Sequence, residues 1–95
     1  MLLHLVLFKY NPDVDDAARA GHVEALGRLA TLPGVLELAA GPDVVRSTRS
    51  YDTGLLVRFA NRAALEAYAT HPAHMPAADL GRRLTMHIAS ADFEI

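Results

Sequence analysis

The chain has 95 residues, with 9 basic and 11 acidic side chains, five histidines and no cysteine. A single domain spanning residues 1–95 is expected, burying about 60–65% of the surface its unfolded form exposes. Scattered charges near a net -2 leave no electrostatic footprint for nucleic acid, and the missing cysteines exclude disulfides, thiolate catalysis and thiolate metal sites.

The opening stretch, Met1 to Lys9, lacks a charged leader and a small-residue cleavage site. Its apolar run is far below the roughly 20 residues of a membrane span, so a soluble, cytoplasmic protein with no membrane partner is expected. Residues 2 to 10 are rich in leucine, valine and aromatics and stop at Asn11-Pro12, which predicts a strand. Leu3, Leu5 and Leu7 point one way, and Leu2, His4, Val6, Phe8 and Tyr10 the other. Both faces want burial, the mark of a strand covered on two sides.

Asp13 is the expected cap of a first helix that runs to about Thr31, with Asp16 in its first turn. Leu32-Pro33-Gly34 ends it, and Val35 to Ala40 predicts a second strand before Gly41-Pro42. Residues 42 to 50 are polar and read as a mobile loop. Tyr51 to Phe59 predicts a third strand, with Tyr51, Thr53, Leu55, Val57 and Phe59 on one face. Asn61 caps a second helix carrying Ala64, Leu65 and Tyr68 on one side, and the proline after His71 stops it near Thr70. Pro72 then suits the first position of a new helical turn that continues from Ala77 to Leu84, and Thr85 to Ile95 closes with a fourth strand.

The order βαββαβ is that of an α+β ferredoxin-like sandwich, a four-stranded antiparallel sheet with helices on one face. Four strands of about five residues, spaced about 4.8 Å apart and rising about 3.4 Å per residue, present a free face of roughly 300 Å². An apolar face of that size, with an apolar composition of 52%, calls for a second copy of the chain. The expected product is a homodimer with a barrel-like interior, lined by residues such as Val6, Phe8 and Leu55, in which a small molecule sits.

Chemistry concentrates in Tyr68-Ala69-Thr70-His71-Pro72-Ala73-His74, two imidazoles and a phenol within seven residues. With Pro72 first in a helix, His74 falls at the third position, where free N–H groups and the positive helix end disfavour imidazolium. A neutral imidazole there is a candidate general base, with Tyr68 as its hydrogen-bonding assistant. His4, on a largely apolar strand, and His71 are candidate polar groups of the pocket. The competing reading has His71 and His74 fixing the helix start and Tyr68 packing in the core. His22 reads as a helix residue near the surface and His87 as strand packing. His71 and His74, with Asp79 and His87 as the nearest additional ligands, do not make three or four convergent donors, so no metal is expected. Phosphate loops, nucleophile elbows and nucleotide fingerprints are absent, and no cofactor is expected. Arg46, Arg49 and Arg58 offer cations for an anionic ligand at a pocket mouth, against the ordinary reading of arginines held in solvent.

His4-Leu5-Val6-Leu7-Phe8-Lys9, Leu32-Pro33-Gly34-Val35, Gly41, Tyr51-Asp52, Phe59, Tyr68-x-x-His71-Pro72-x-His74 and Asp92 together resemble the stress-responsive A/B barrel domain family. The resemblance spans nearly the whole chain, and the His-Pro-x-His segment is its most specific part. It implies a dimeric α+β barrel. In the polyketide cyclases of that family the residue matching His74 is the general base, that matching Tyr68 assists it, and that matching His4 lines the pocket. The first helix here has no tyrosine where those cyclases carry one facing the cavity. The expected function is binding of a hydrophobic or carbonyl-bearing small molecule, with cofactor-free cyclase, lyase or isomerase chemistry. The alternatives are a non-catalytic, stress-related binding module and a cofactor-free monooxygenase.

Overall fold

The computed structural model describes residues 1–95. The elements are β1 (Leu2–Tyr10), α1 (Asp16–Gly27) with a 3-10 turn (Arg28–Thr31), β2 (Glu37–Pro42), β3 (Thr53–Phe59), α2 (Arg62–Ala69), α3 (Met75–Leu84) and β4 (Thr85–Glu94). All pairings are antiparallel, in the order β2-β3-β1-β4, so the chain has the expected ferredoxin-like fold with two edge strands, β2 and β4. No helix is long and apolar enough to cross a membrane.

The helices α1 and α2 begin where a short polar side chain satisfies a free N–H group. Asp15, rather than Asp13, accepts from the Ala18 N–H at 2.8 Å. Asn61 accepts from the Ala64 N–H at 3.0 Å, as expected. The turn between the 3-10 segment and β2 needs Gly34, whose φ of 87° is strained for any other residue.

The register decides which face of the sheet each residue takes. On the helix side, Leu2, Val6, Phe8 and Tyr10 of β1 stand beside Leu55, Val57 and Phe59 of β3, all buried. These residues, with Leu26, Leu29, Tyr68 and Ala77, form the core. Val6, Phe8 and Leu55 therefore face the helices, and the expectation that they line the free face of the sheet is corrected. The free face belongs to the other series. Leu3 opposes Phe93, Leu5 lies between Leu56 and Ala91, and Leu7 lies between Gly54 and Ala89. Leu7 and Phe93 stand 42% and 43% exposed there, too much apolar surface for a lone sheet in water.

Two further expectations change. The segment before β3 is pinned rather than loose. Asp52, nearly buried, accepts from the Tyr10 backbone N–H at 2.8 Å and from Arg46 at 3.0 Å. Burial pushes its carboxyl pKa up, but these hydrogen bonds and the nearby Lys9 and Arg19 outweigh that and hold it below the usual value. Arg46 is thus spent on Asp52, and Arg58 on Glu37 at 3.2 Å on the free face, so neither guards a pocket mouth.

His22 is not near the surface. It is fully buried, 2.7 Å from the Tyr10 hydroxyl and edge-on to Phe8 at 4.7 Å between ring centroids. Gly81 of α3 lies against it, where a Cβ would meet His22 Nε2 and the Phe8 ring at 3.4 Å, which accounts for a glycine inside that helix. His87, conversely, is exposed on the free face, 2.6 Å from the Tyr51 hydroxyl, rather than packed within the sheet.

Candidate functional site

Between the helix side of the sheet and α3 lies a cavity of about 250 Å³. β1 and β3 supply His4, Val6, Phe8 and Leu55, β4 supplies Ile88 and Ser90, and α1 with its 3-10 turn supplies Leu26 and Leu29. From the third helix come His74, Ala77, Ala78 and Arg82. This cavity lies within one chain, between sheet and helices, and not in the room between two sheets that the patterning suggested.

His74 precedes α3 as its N-cap residue, and Pro76, not Pro72, is the proline of the first turn. Residues 71–74 form a tight turn closed by the His74 N–H on the His71 carbonyl at 2.9 Å. The side chain makes no capping bond, and its Nδ1 is buried without a partner. Burial lowers the imidazole pKa, and the neighbouring His4 and Arg82 add to this. The direction is that expected for a helix-start histidine, but the leading cause is desolvation. At neutral pH the ring is an uncharged proton acceptor.

Tyr68 packs edge-on against His74 at 4.7 Å and against Phe59 at 5.0 Å. It does not line the cavity directly; its hydroxyl is buried without a partner behind the His74 ring, and burial pushes its pKa up to about 12. It stays protonated at neutral pH and keeps its O–H as a donor. His4 has its ring 6.2 Å from that of Tyr68, and its Nδ1 hydrogen-bonds the Asp92 carboxylate. The Asp92 carboxylate accepts a hydrogen bond from Nδ1–H, which leaves Nε2 as the acceptor nitrogen of the neutral ring.

His71 is placed outside the cavity. Its Nδ1 accepts from the Ala73 N–H at 3.0 Å, so it braces the turn and does not line the pocket as expected. No three His, Asp or Glu side chains converge as metal ligands; His87, offered as one, lies on the opposite face of the sheet. Arg82 and Ser90 were not singled out from sequence. Arg82 follows His74 by eight residues and Ala78 by four, so helical spacing from His74 was the signal that pointed to it.

A larger groove of about 730 Å³ lies on the far side of His4, between α2 and the ends of β1 and β4. It is lined by Arg62, Glu66, Asp92 and Glu94 among others, and Arg62 is already paired with Glu66 at 2.9 Å. Its lining is mostly polar and charged. The smaller, mostly apolar cavity holds both imidazoles and is the better candidate site.

An antiparallel α+β sheet with an imidazole-bearing cavity under its helices defines a class of small ferredoxin-like proteins. Residues 2–95 match the model of the stress responsive A/B barrel domain, and the chain belongs to that family. A dimeric ferredoxin-like protein of unknown function from Jannaschia sp. CCS1 is 31% identical with a TM-score of 0.79, over 99% of this chain and 98% of that one. A dimeric ferredoxin-like protein from Thermobifida fusca is 23% identical with a TM-score of 0.90, over 99% and 90%. The hydroxynitrile lyase of Passiflora edulis, 15% identical, shares the fold with a TM-score of 0.88 over 99% and 92%. No protein with a curated description matches the sequence.

Proposed function

We propose that the chain binds a small carbonyl-bearing molecule in the cavity under α3 and moves a proton on it without a cofactor, with His74 as base. The observation that carries this reading is the shared cavity of His4 and His74, in whose wall burial lowers the proton affinity of the His74 ring. A neutral imidazole in a cavity wall is a proton acceptor for a substrate bound there. Tyr68 holds the ring edge-on and His4, oriented by Asp92, offers a second acceptor. That a hydroxynitrile lyase carries the same fold supports lyase-class chemistry in such a frame.

A proton-transfer assay needs no knowledge of the natural substrate. Acetophenone in deuterium oxide should exchange its methyl protons faster with the protein than with buffer, measured by proton NMR. Exchange at the buffer rate, together with unchanged histidine signals, would leave the non-catalytic, structural reading of these side chains.

Two copies of the chain are proposed to pack through the free faces of their sheets, as the relatives described as dimeric support. Leu5, between Leu56 and Ala91, sits at the middle of that face. Leu5→Asp places a charge where desolvation is most costly and is expected to give a single subunit in sedimentation at about 10 µM, where the parent chain sediments as a pair. A parent chain that sediments as one subunit would remove the paired arrangement.

A further inference from the structure

We infer that the ligand of this cavity carries a negative charge, a carboxylate above all, and that Arg82 is its anchor; the inference rests on reading the cavity as a ligand site. No aspartate or glutamate lines the cavity, and Arg82 is the one permanently charged side chain in its wall. Its remaining polar groups are His4, His74 and Ser90, set among apolar side chains. Of the nearby carboxylates, Asp92 is engaged by His4 and faces the outer groove, and Asp79 pairs with Arg82 without lining the cavity. A cavity with one cation and no anion is completed by an anionic guest.

Arg82 is free to take this role. Its only protein partner is Asp79, three residues back on the same helix and about as exposed as Arg82 itself. An exposed pair of that kind contributes little, and it leaves most of the five guanidinium N–H donors for a ligand. About 250 Å³ holds roughly eight water volumes, room for a ring or short chain with one carboxylate.

The anion also couples to the base. Arg82 is among the groups that hold down the proton affinity of His74. A carboxylate seated on Arg82 offsets that charge, so His74 becomes a stronger base when the ligand is present, and the coupling is reciprocal.

The test uses benzoate and benzamide, which have the same shape and differ in charge, titrated at about pH 7.5 and followed by chemical shifts of His74 and Ser90. Benzoate is expected to bind at least about tenfold more tightly than benzamide. Arg82→Gln, at an exposed position and checked for fold by circular dichroism, should bring the two within about twofold of each other while benzamide binding persists. Equal affinities for the two probes would overturn the charge inference and leave the ligand site standing. A preference that survives Arg82→Gln would overturn Arg82 as the anchor. If neither probe shifts His74 or Ser90, the reading of the cavity as a ligand site falls, and this inference with it.

Discussion

Replacing His74 by alanine is expected to slow the protein-catalysed exchange of acetophenone by about 10² or more, because a placed base typically contributes 10² to 10⁴ in rate. The fold should survive the change. The His74 side chain makes no capping hydrogen bond, and the start of α3 is held by Pro76 and by the Ala78 N–H on the His74 carbonyl at 3.0 Å, both of which remain in the variant. His71→Ala is the matched control. That imidazole braces the turn outside the cavity, so its loss should leave the exchange rate within about twofold while costing some stability, since a single hydrogen bond contributes about 1 kcal/mol. The pH dependence carries a further sign. His74 has a lowered pKa, so its neutral form persists below about pH 6.5, the ordinary histidine value, and the exchange rate should still be level there and fall only in more acid solution. An alanine variant that exchanges as fast as the parent, or an equal loss in the His71 control, would remove His74 as the base.

The sheet was legible because its signal is local. Alternation in Tyr51, Thr53, Leu55, Val57 and Phe59 predicts one buried face of β3; the last four are all buried, while Tyr51 precedes the strand and reaches His87 on the free face. Which face β1 turns to the helices was not legible, since leucines fill one side and Val6, Phe8 and Tyr10 the other. Only pairing with β3 and β4 separates the two series. The start of α3 was ambiguous for a similar reason. Pro72 and Pro76 stand four apart, either fits a first helical turn, and the hydrogen bond that makes 71–74 a closed turn decides for the second. His22 was misplaced because its burial is made by Tyr10, Phe8 and Gly81, residues remote in sequence. The His4–Asp92 pair spans 88 positions and follows only from the β1–β4 register.

The buried His22 should make the fold acid-sensitive in a window set by histidine rather than by carboxylates. The Tyr10 hydroxyl donates to Thr53 at 2.9 Å, so the imidazole Nδ1–H donates to the Tyr10 oxygen. Nε2 then holds a buried lone pair without a partner against Gly81 and Phe8. A proton added there has no acceptor, and burial accordingly lowers the His22 pKa in the folded chain. The unfolded chain binds that proton first as pH falls below about 6.5, so stability is full above that value and declines as pH drops toward the folded pKa. One such group costs up to about 1.4 kcal/mol per pH unit, and His22 with His74 up to about 2.8. Asp52 is shifted in the same direction from a lower ordinary value; its contribution is present above that value and is lost only in stronger acid, so the two windows separate. Urea unfolding at intervals between pH 7.5 and 5 measures the slope. His22→Gln keeps a donor for Tyr10 but does not titrate, and it should show a shallower slope than the parent between about pH 6.5 and 5. A Gln variant whose profile runs parallel to the parent would mean that His22 takes up its proton in the folded state as readily as in water, and the sealed packing around Nε2 would have to be open to solvent.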